Sequence, residues 1–108
     1  VDYVNLTPDE RWAFDGILSY LTFLDSVQTC NIPHLKSCVT APEISLCMAE
    51  QTSQEAMHNQ SYQYMIETII PSDRRTFVYE FWKTDSVLRD RCEFIAGIYQ
   101  QYMDVRFV

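Results

Sequence analysis

The sequence predicts an all-α fold on three observations. Helix-start signatures occur at Thr7-Pro8-Asp9-Glu10 and Thr40-Ala41-Pro42-Glu43, apolar residues recur at three- and four-residue spacing, and no stretch shows the apolar–polar alternation of a half-buried strand. With 108 residues, 47% hydrophobic and 21% charged, and only two Gly and four Pro, the composition suits one helix-rich domain. It is too short for two ordinary domains and too apolar for a disordered tail.

Thr7 is placed to cap, Pro8 suits a first turn and Glu10 completes a capping box, so the first helix is expected over 8–28. Its apolar stripe of Phe14, Leu18 and Leu21 continues at the next step onto Asp25, setting a carboxylate on the buried face. Such a group is costly to bury unless something pairs with it. Residues 30–39 hold Asn31, Pro33 and Ser37 and read as a loop. The second capping-box pattern opens a longer helix over 41–70. That helix stops at Pro71, because proline lacks an N–H and restricts the residue before it.

Two shorter helices follow, over 73–83 and 86–102, parted by Thr84-Asp85. Trp12, Phe81, Trp82, Tyr99 and Tyr102 are expected in the core or at interfaces. Arg74, Arg75, Arg89 and Arg91 are expected as solvated groups, or as partners of Asp73, Asp85, Asp90 and Glu93 nearby in sequence.

Eight basic residues against fifteen acidic ones give a net charge of −7, which disfavours nucleic acid or an anionic membrane surface as the main partner. Acidic and amide residues such as Asp15, Asp25, Gln51, Glu55 and Glu67 interrupt every apolar stretch, so none reaches the ~20 residues of a membrane span. The N-terminus lacks the basic-then-apolar order of a signal peptide, and the chain reads as soluble and cytoplasmic. Cys30, Cys38, Cys47 and Cys92 match no zinc-finger or C-x-x-C spacing and read as reduced thiols. Because the first residue is Val, the sequence reads as a fragment, a processed product or part of something longer.

Chemistry concentrates on the second helix, where Glu55, His58 and Tyr62 fall at i, i+3 and i+7 within one stripe. Ile44, Met48, Ile66 and Ile69 extend the stripe, so the polar trio is expected in a buried apolar seam. Glu-x-x-His on an inward helix face is how ferritin-like carboxylate proteins hold a two-metal centre, with single carboxylates given by neighbouring helices. Asp25 is placed to be such a carboxylate. Hard oxygen ligands and neutral imidazole suit Fe and Mn, whose charge compensates carboxylates otherwise costly to bury. Gln51 and Thr52 lie close enough in sequence for outer hydrogen bonds. Taken singly, each residue has a plainer role: Asp25 could pair with Arg89 or Arg91, Tyr62 is one of seven tyrosines, and His58 could be an ordinary hydrogen-bonded histidine.

Together these residues resemble the radical-generating small subunit of class I ribonucleotide reductase. The resemblance runs through Tyr20-Leu21-Thr22-Phe23-Leu24-Asp25-Ser26-Val27-Gln28, Pro42-Glu43, Glu55-Ala56-Met57-His58-Asn59-Gln60-Ser61-Tyr62 and the Ile-Ala-Gly-Ile-Tyr stretch at 95–99. It covers most of the chain. It implies that Asp25, Glu55 and His58 are ligands of a dinuclear Fe, Mn or mixed Mn/Fe centre activated by O2. It also implies that Tyr62 is oxidised to a stable radical lent to the large subunit, which reduces ribonucleoside diphosphates to the deoxyribonucleotides used in DNA replication.

The family's centre also needs a further helix's carboxylate and a second Glu-x-x-His, and this sequence shows neither; its other histidine is His34. The tail that docks on the large subunit, and the Trp used for long-range radical transfer, also find no match. The expected architecture is therefore a single ferritin-like half-domain over 1–108. It would be completed by a complementary chain, by a second copy of itself, or by another segment of a longer protein. Two other functions fit the same helices: a different ferritin-like di-metal oxidase or ferroxidase, and a metal-free helical interaction module.

Overall fold

The computed structural model describes residues 2–106. These form α1 (Asp2–Asn5), α2 (Pro8–Leu35), a 3₁₀ turn (Lys36–Cys38), α3 (Pro42–Ile69), α4 (Arg75–Thr84) and α5 (Ser86–Arg106), with no strand among the described residues. The long α2 and α3 lie antiparallel, so that Thr22 meets Asn59 while Asp25, further along α2, meets Glu55, earlier on α3. α4 crosses back onto α2, and α5 packs on both α2 and α4.

Local chemistry sets the helix ends. Thr7 is extended, its hydroxyl accepts from the Glu10 N–H, and the Glu10 carboxylate accepts from the Thr7 N–H at 2.8 Å, completing the capping box. The second box does not form. Pro42 holds Ala41 in the extended conformation, so Ala41 becomes the cap residue and has no side-chain oxygen to offer. Ile70 is likewise extended before Pro71, which ends α3. Asp85 separates α4 from α5, and its carboxylate accepts from the Leu88 N–H at 3.0 Å.

α2 does not stop at Gln28 but continues to Leu35 with Pro33 inside its last turns. The polar residues that suggested a loop bond back onto the helix instead: Asn31 donates to the Val27 carbonyl, and Ser37 to that of His34, both at 2.7 Å. Ile32 is buried and anchors this end by packing.

The core sits where α2, α3 and α4 converge, around Leu18, Ile66, Ile70, Val78 and Tyr3, with Phe14, Tyr62, Met65 and Tyr79 packed against it. Gly16 lets the Phe81 ring approach α2 closely, since a Cβ there would sit 3.1 Å from it. Asp15 is fully buried. It accepts from the Tyr3 hydroxyl at 2.9 Å and from Arg74 Nε at 2.8 Å, and Arg74 makes a second contact at 2.7 Å. Arg74 is thus not a solvated partner of Asp73 but the counter-ion of a buried carboxylate on another helix. Arg75 reaches Glu67 on α3 at 3.3 Å. Neither pairing follows from sequence proximity.

The molecule measures 51 × 27 × 18 Å with a radius of gyration of 16.5 Å, against about 13 Å for a compact domain of this length. Apolar side chains line its outside, among them Trp12, Ile17, Leu46, Tyr64 and Phe94. Trp12 is therefore exposed rather than in the core, whereas Phe81 is buried and Trp82 stacks on Phe23 with ring centroids 4.3 Å apart.

Candidate metal centre

Asp25 projects from α2, and Glu55 and His58 from α3, so that one ligand atom from each lies within 4.8 Å of the other two. The i, i+3 spacing puts Glu55 and His58 one turn apart on one face, with His58 Nδ1 3.5 Å from Glu55 Oε2. Asp25 is only 9% exposed, yet its Oδ2 is buried without a hydrogen-bond partner. Burial pushes the Asp25 carboxyl above the usual range, the Glu55 charge adds to the rise, and His58 works against it. Two carboxylates crowded together with one oxygen unsatisfied form a site short of positive charge.

Neither Arg89 nor Arg91 supplies that charge. Arg89 lies 3.9 Å from Asp90, and Arg91 lines an apolar groove with Trp12, Tyr20 and Phe81. The donor set fits a hard divalent cation: an imidazole and two carboxylates, one of them with an orphaned buried oxygen.

Tyr62 lies on the same face, one turn beyond His58 and about 10 Å from Glu55 along the helix axis. It is half-buried against the core cluster. The flanks of the seam differ from expectation. Ile66 is buried, but Ile44 is 51% and Ile69 41% exposed, and the His58 side chain is 58% exposed. The apolar stripe on α3 is longer than the surface α2 and α4 lay over it, so the site is closed on the α2 side and open on the other. Gln51 is exposed and Thr52 donates to the Met48 carbonyl, so neither bonds to the trio.

Two neighbours escaped the sequence reading. Asn59, beside His58, donates to the Thr22 carbonyl at 2.7 Å and to Ser26 Oγ at 3.0 Å, and Gln63 donates to its amide oxygen. Tyr99 on α5 donates to the Gln28 side-chain oxygen, and its phenol is pushed up mainly by burial, with the Glu55 charge contributing. The spacing of Gln28 three residues after Asp25 is the one available clue to the second contact.

Comparison with known proteins decides the family. Residues 1–107 match the family described as ribonucleotide reductase, small chain. The chain belongs to that family. It is 46% identical to the ribonucleoside-diphosphate reductase subunit beta of Treponema pallidum over 99% of its length, and 36% identical to that of Halalkalibacterium halodurans over 94%. The solved R2 subunit from Clostridium botulinum superposes with a TM-score of 0.89 at 43% identity, covering 94% of this chain and 32% of that one. The helices of this small-chain family member accordingly take the ferritin-like arrangement of R2. The chain spans about 30% of the length of the curated relatives it matches.

Proposed function

We propose that this chain is the metal-holding and radical-bearing part of a class I ribonucleoside-diphosphate reductase small subunit. One observation carries the reading: Asp25, Glu55 and His58 converge across the α2–α3 seam around a buried carboxylate oxygen that no protein group satisfies. When bound, a pair of Fe or Mn ions supplies the O2-dependent oxidising power for the reaction. Asp25, Glu55 and His58 hold metal on this side of the centre. Tyr62 would yield one electron and its phenolic proton to that O2-oxidised centre, and the core packing around its ring would shield the resulting radical from water. The radical serves a large subunit, which reduces the ribonucleotide.

Three ligands on two helices are half of a two-metal set. The other carboxylate and Glu-x-x-His come from outside these residues, and they cover the open side of the site beside His58. No described helix is long and apolar enough to cross a membrane, and we place the assembly in the cytoplasm with its nucleotide substrates.

The test is electron paramagnetic resonance on the full chain, alone and with any co-purifying chain, after loading with Fe(II) or Mn(II) and exposure to O2. A tyrosyl signal that disappears in Tyr62→Phe while bound metal stays constant is the expected result. A signal that persists in that variant overturns the assignment of Tyr62. Full loading with no tyrosyl signal favours a di-metal oxidase or ferroxidase, and a signal from the isolated chain favours pairing of two copies.

A further inference from the structure

A buried carboxylate facing a second carboxylate repels, so the seam at Asp25 and Glu55 needs something to hold α2 and α3 at the correct spacing before a cation arrives. One side chain on α3, Asn59, donates two hydrogen bonds across this seam to α2. Its amide reaches the Thr22 carbonyl at 2.7 Å and Ser26 Oγ at 3.0 Å. These acceptors lie one turn apart on α2 and bracket Asp25 in sequence; the donor is the immediate neighbour of His58. One group therefore ties the α2 turn bearing the carboxylate to the α3 turn bearing the imidazole. Two points of attachment fix rotation as well as sliding. Gln63, one turn on, donates to the Asn59 amide oxygen, which leaves the amide NH2 facing α2.

We propose that Asn59 is a positioning residue of the metal centre, setting the α2–α3 register that brings Asp25 within reach of Glu55 and His58. The inference rests on the metal-holding reading of those three residues. It differs from an ordinary packing role in what it predicts: losing Asn59 changes metal affinity and ligand geometry, beyond any change in stability.

The experiment is titration of the full chain with Co(II), followed by its visible d–d absorption, in the unaltered protein and in Asn59→Ala, Ser26→Ala and the double variant. Thr7→Ala, which weakens the α2 cap far from the seam, is the stability control. Asn59→Ala should bind about tenfold more weakly, the lower end for loss of an outer supporting contact, with a displaced absorption band. Ser26→Ala, which removes an exposed hydroxyl and one of the two bonds, should show a smaller change in the same direction. The double variant should be no weaker than Asn59→Ala, and Thr7→Ala should bind as the unaltered chain does.

If Asn59→Ala fails to fold by circular dichroism, Ser26→Ala alone carries the test. Unchanged affinity and spectrum in the folded Asn59 and Ser26 variants overturn the inference while leaving the ligand assignment intact. No Co(II) binding by the unaltered chain, alone or with any co-purifying chain, overturns the ligand assignment and this inference with it.

Discussion

Asp15 and Asp25 stand on the same helix, both at least nine-tenths buried, and they have opposite surroundings. Asp15 is fully compensated: Tyr3 donates its hydroxyl, and Arg74 gives a charge-assisted pair of contacts. Burial works to lower the Arg74 pKa, but the hydrogen bond and charge of Asp15 outweigh it and hold the guanidinium above its ordinary range. Asp25 has an orphaned oxygen and an acidic neighbour. A buried charge therefore does not by itself mark a functional site. What marks one is a buried charge that the fold leaves without compensation.

The largest expected effect comes from breaking the compensated member. Arg74→Ala strands Asp15 in the core and should cost about 3 kcal/mol, the low end for a broken buried pair because Arg74 is partly exposed. A urea midpoint shifted at constant m-value checks it. A nearly comparable effect of opposite sign should come from supplying what Asp25 lacks. Divalent metal at a hundredfold excess over its Kd should stabilise the chain by about 2.7 kcal/mol. That gain should survive in Arg74→Ala and vanish in Asp25→Asn, read as the metal-induced shift in Tm.

Without metal, Asp25→Asn removes a repulsion rather than an attraction. It should leave stability unchanged or raise it by under about 1 kcal/mol, the scale of charge pairs open to water on one side, whereas the Arg74 variant falls. Equal losses in the two variants would erase the contrast between the carboxylates.

Glu10 supplies the surface baseline. The Thr7 backbone N–H, then the Thr7 hydroxyl, hold its carboxyl below the usual range. Its stabilisation is present above the ordinary Glu pKa and is lost as pH falls through the depressed folded value. Glu10→Gln should accordingly be slightly less stable than the unaltered chain at pH 7, with the gap closing in acid. Denaturation curves at several pH values read this smallest of the effects.

What could be read from the sequence was local. The Thr7 box, the stop at Pro71 and the Glu55/His58 spacing depend on residues within one or two turns, so their geometry follows from helix periodicity. The alignment of Asp25 with that pair was legible because its apolar stripe pointed inward. The Asp15–Arg74 pair was not, since the partners are 59 residues apart and meet only through the α3–α4 corner. Asn59 looked like any polar residue on a helix, because its acceptors, one of them a backbone carbonyl, lie on another helix. The end of α2 differs from the loop the sequence suggests because Asn31 and Ser37 can serve either a loop or a helix. Packing of Ile32 favours the helix.

The Tyr3–Asp15–Arg74 knot also acts mechanically. It pins α2 to the start of α4 at one end of the seam, while Asp25 lies ten residues, or about 15 Å, further along a stiff rod. α2 is thus a lever with its fulcrum in the core. A swing of only about 4° at that fulcrum carries the Asp25 carboxylate through roughly 1 Å, a displacement large enough to spoil a metal ligand's reach. The rigidity of a structural ion pair three helical turns away thereby becomes part of the tolerance to which the proposed metal site is built.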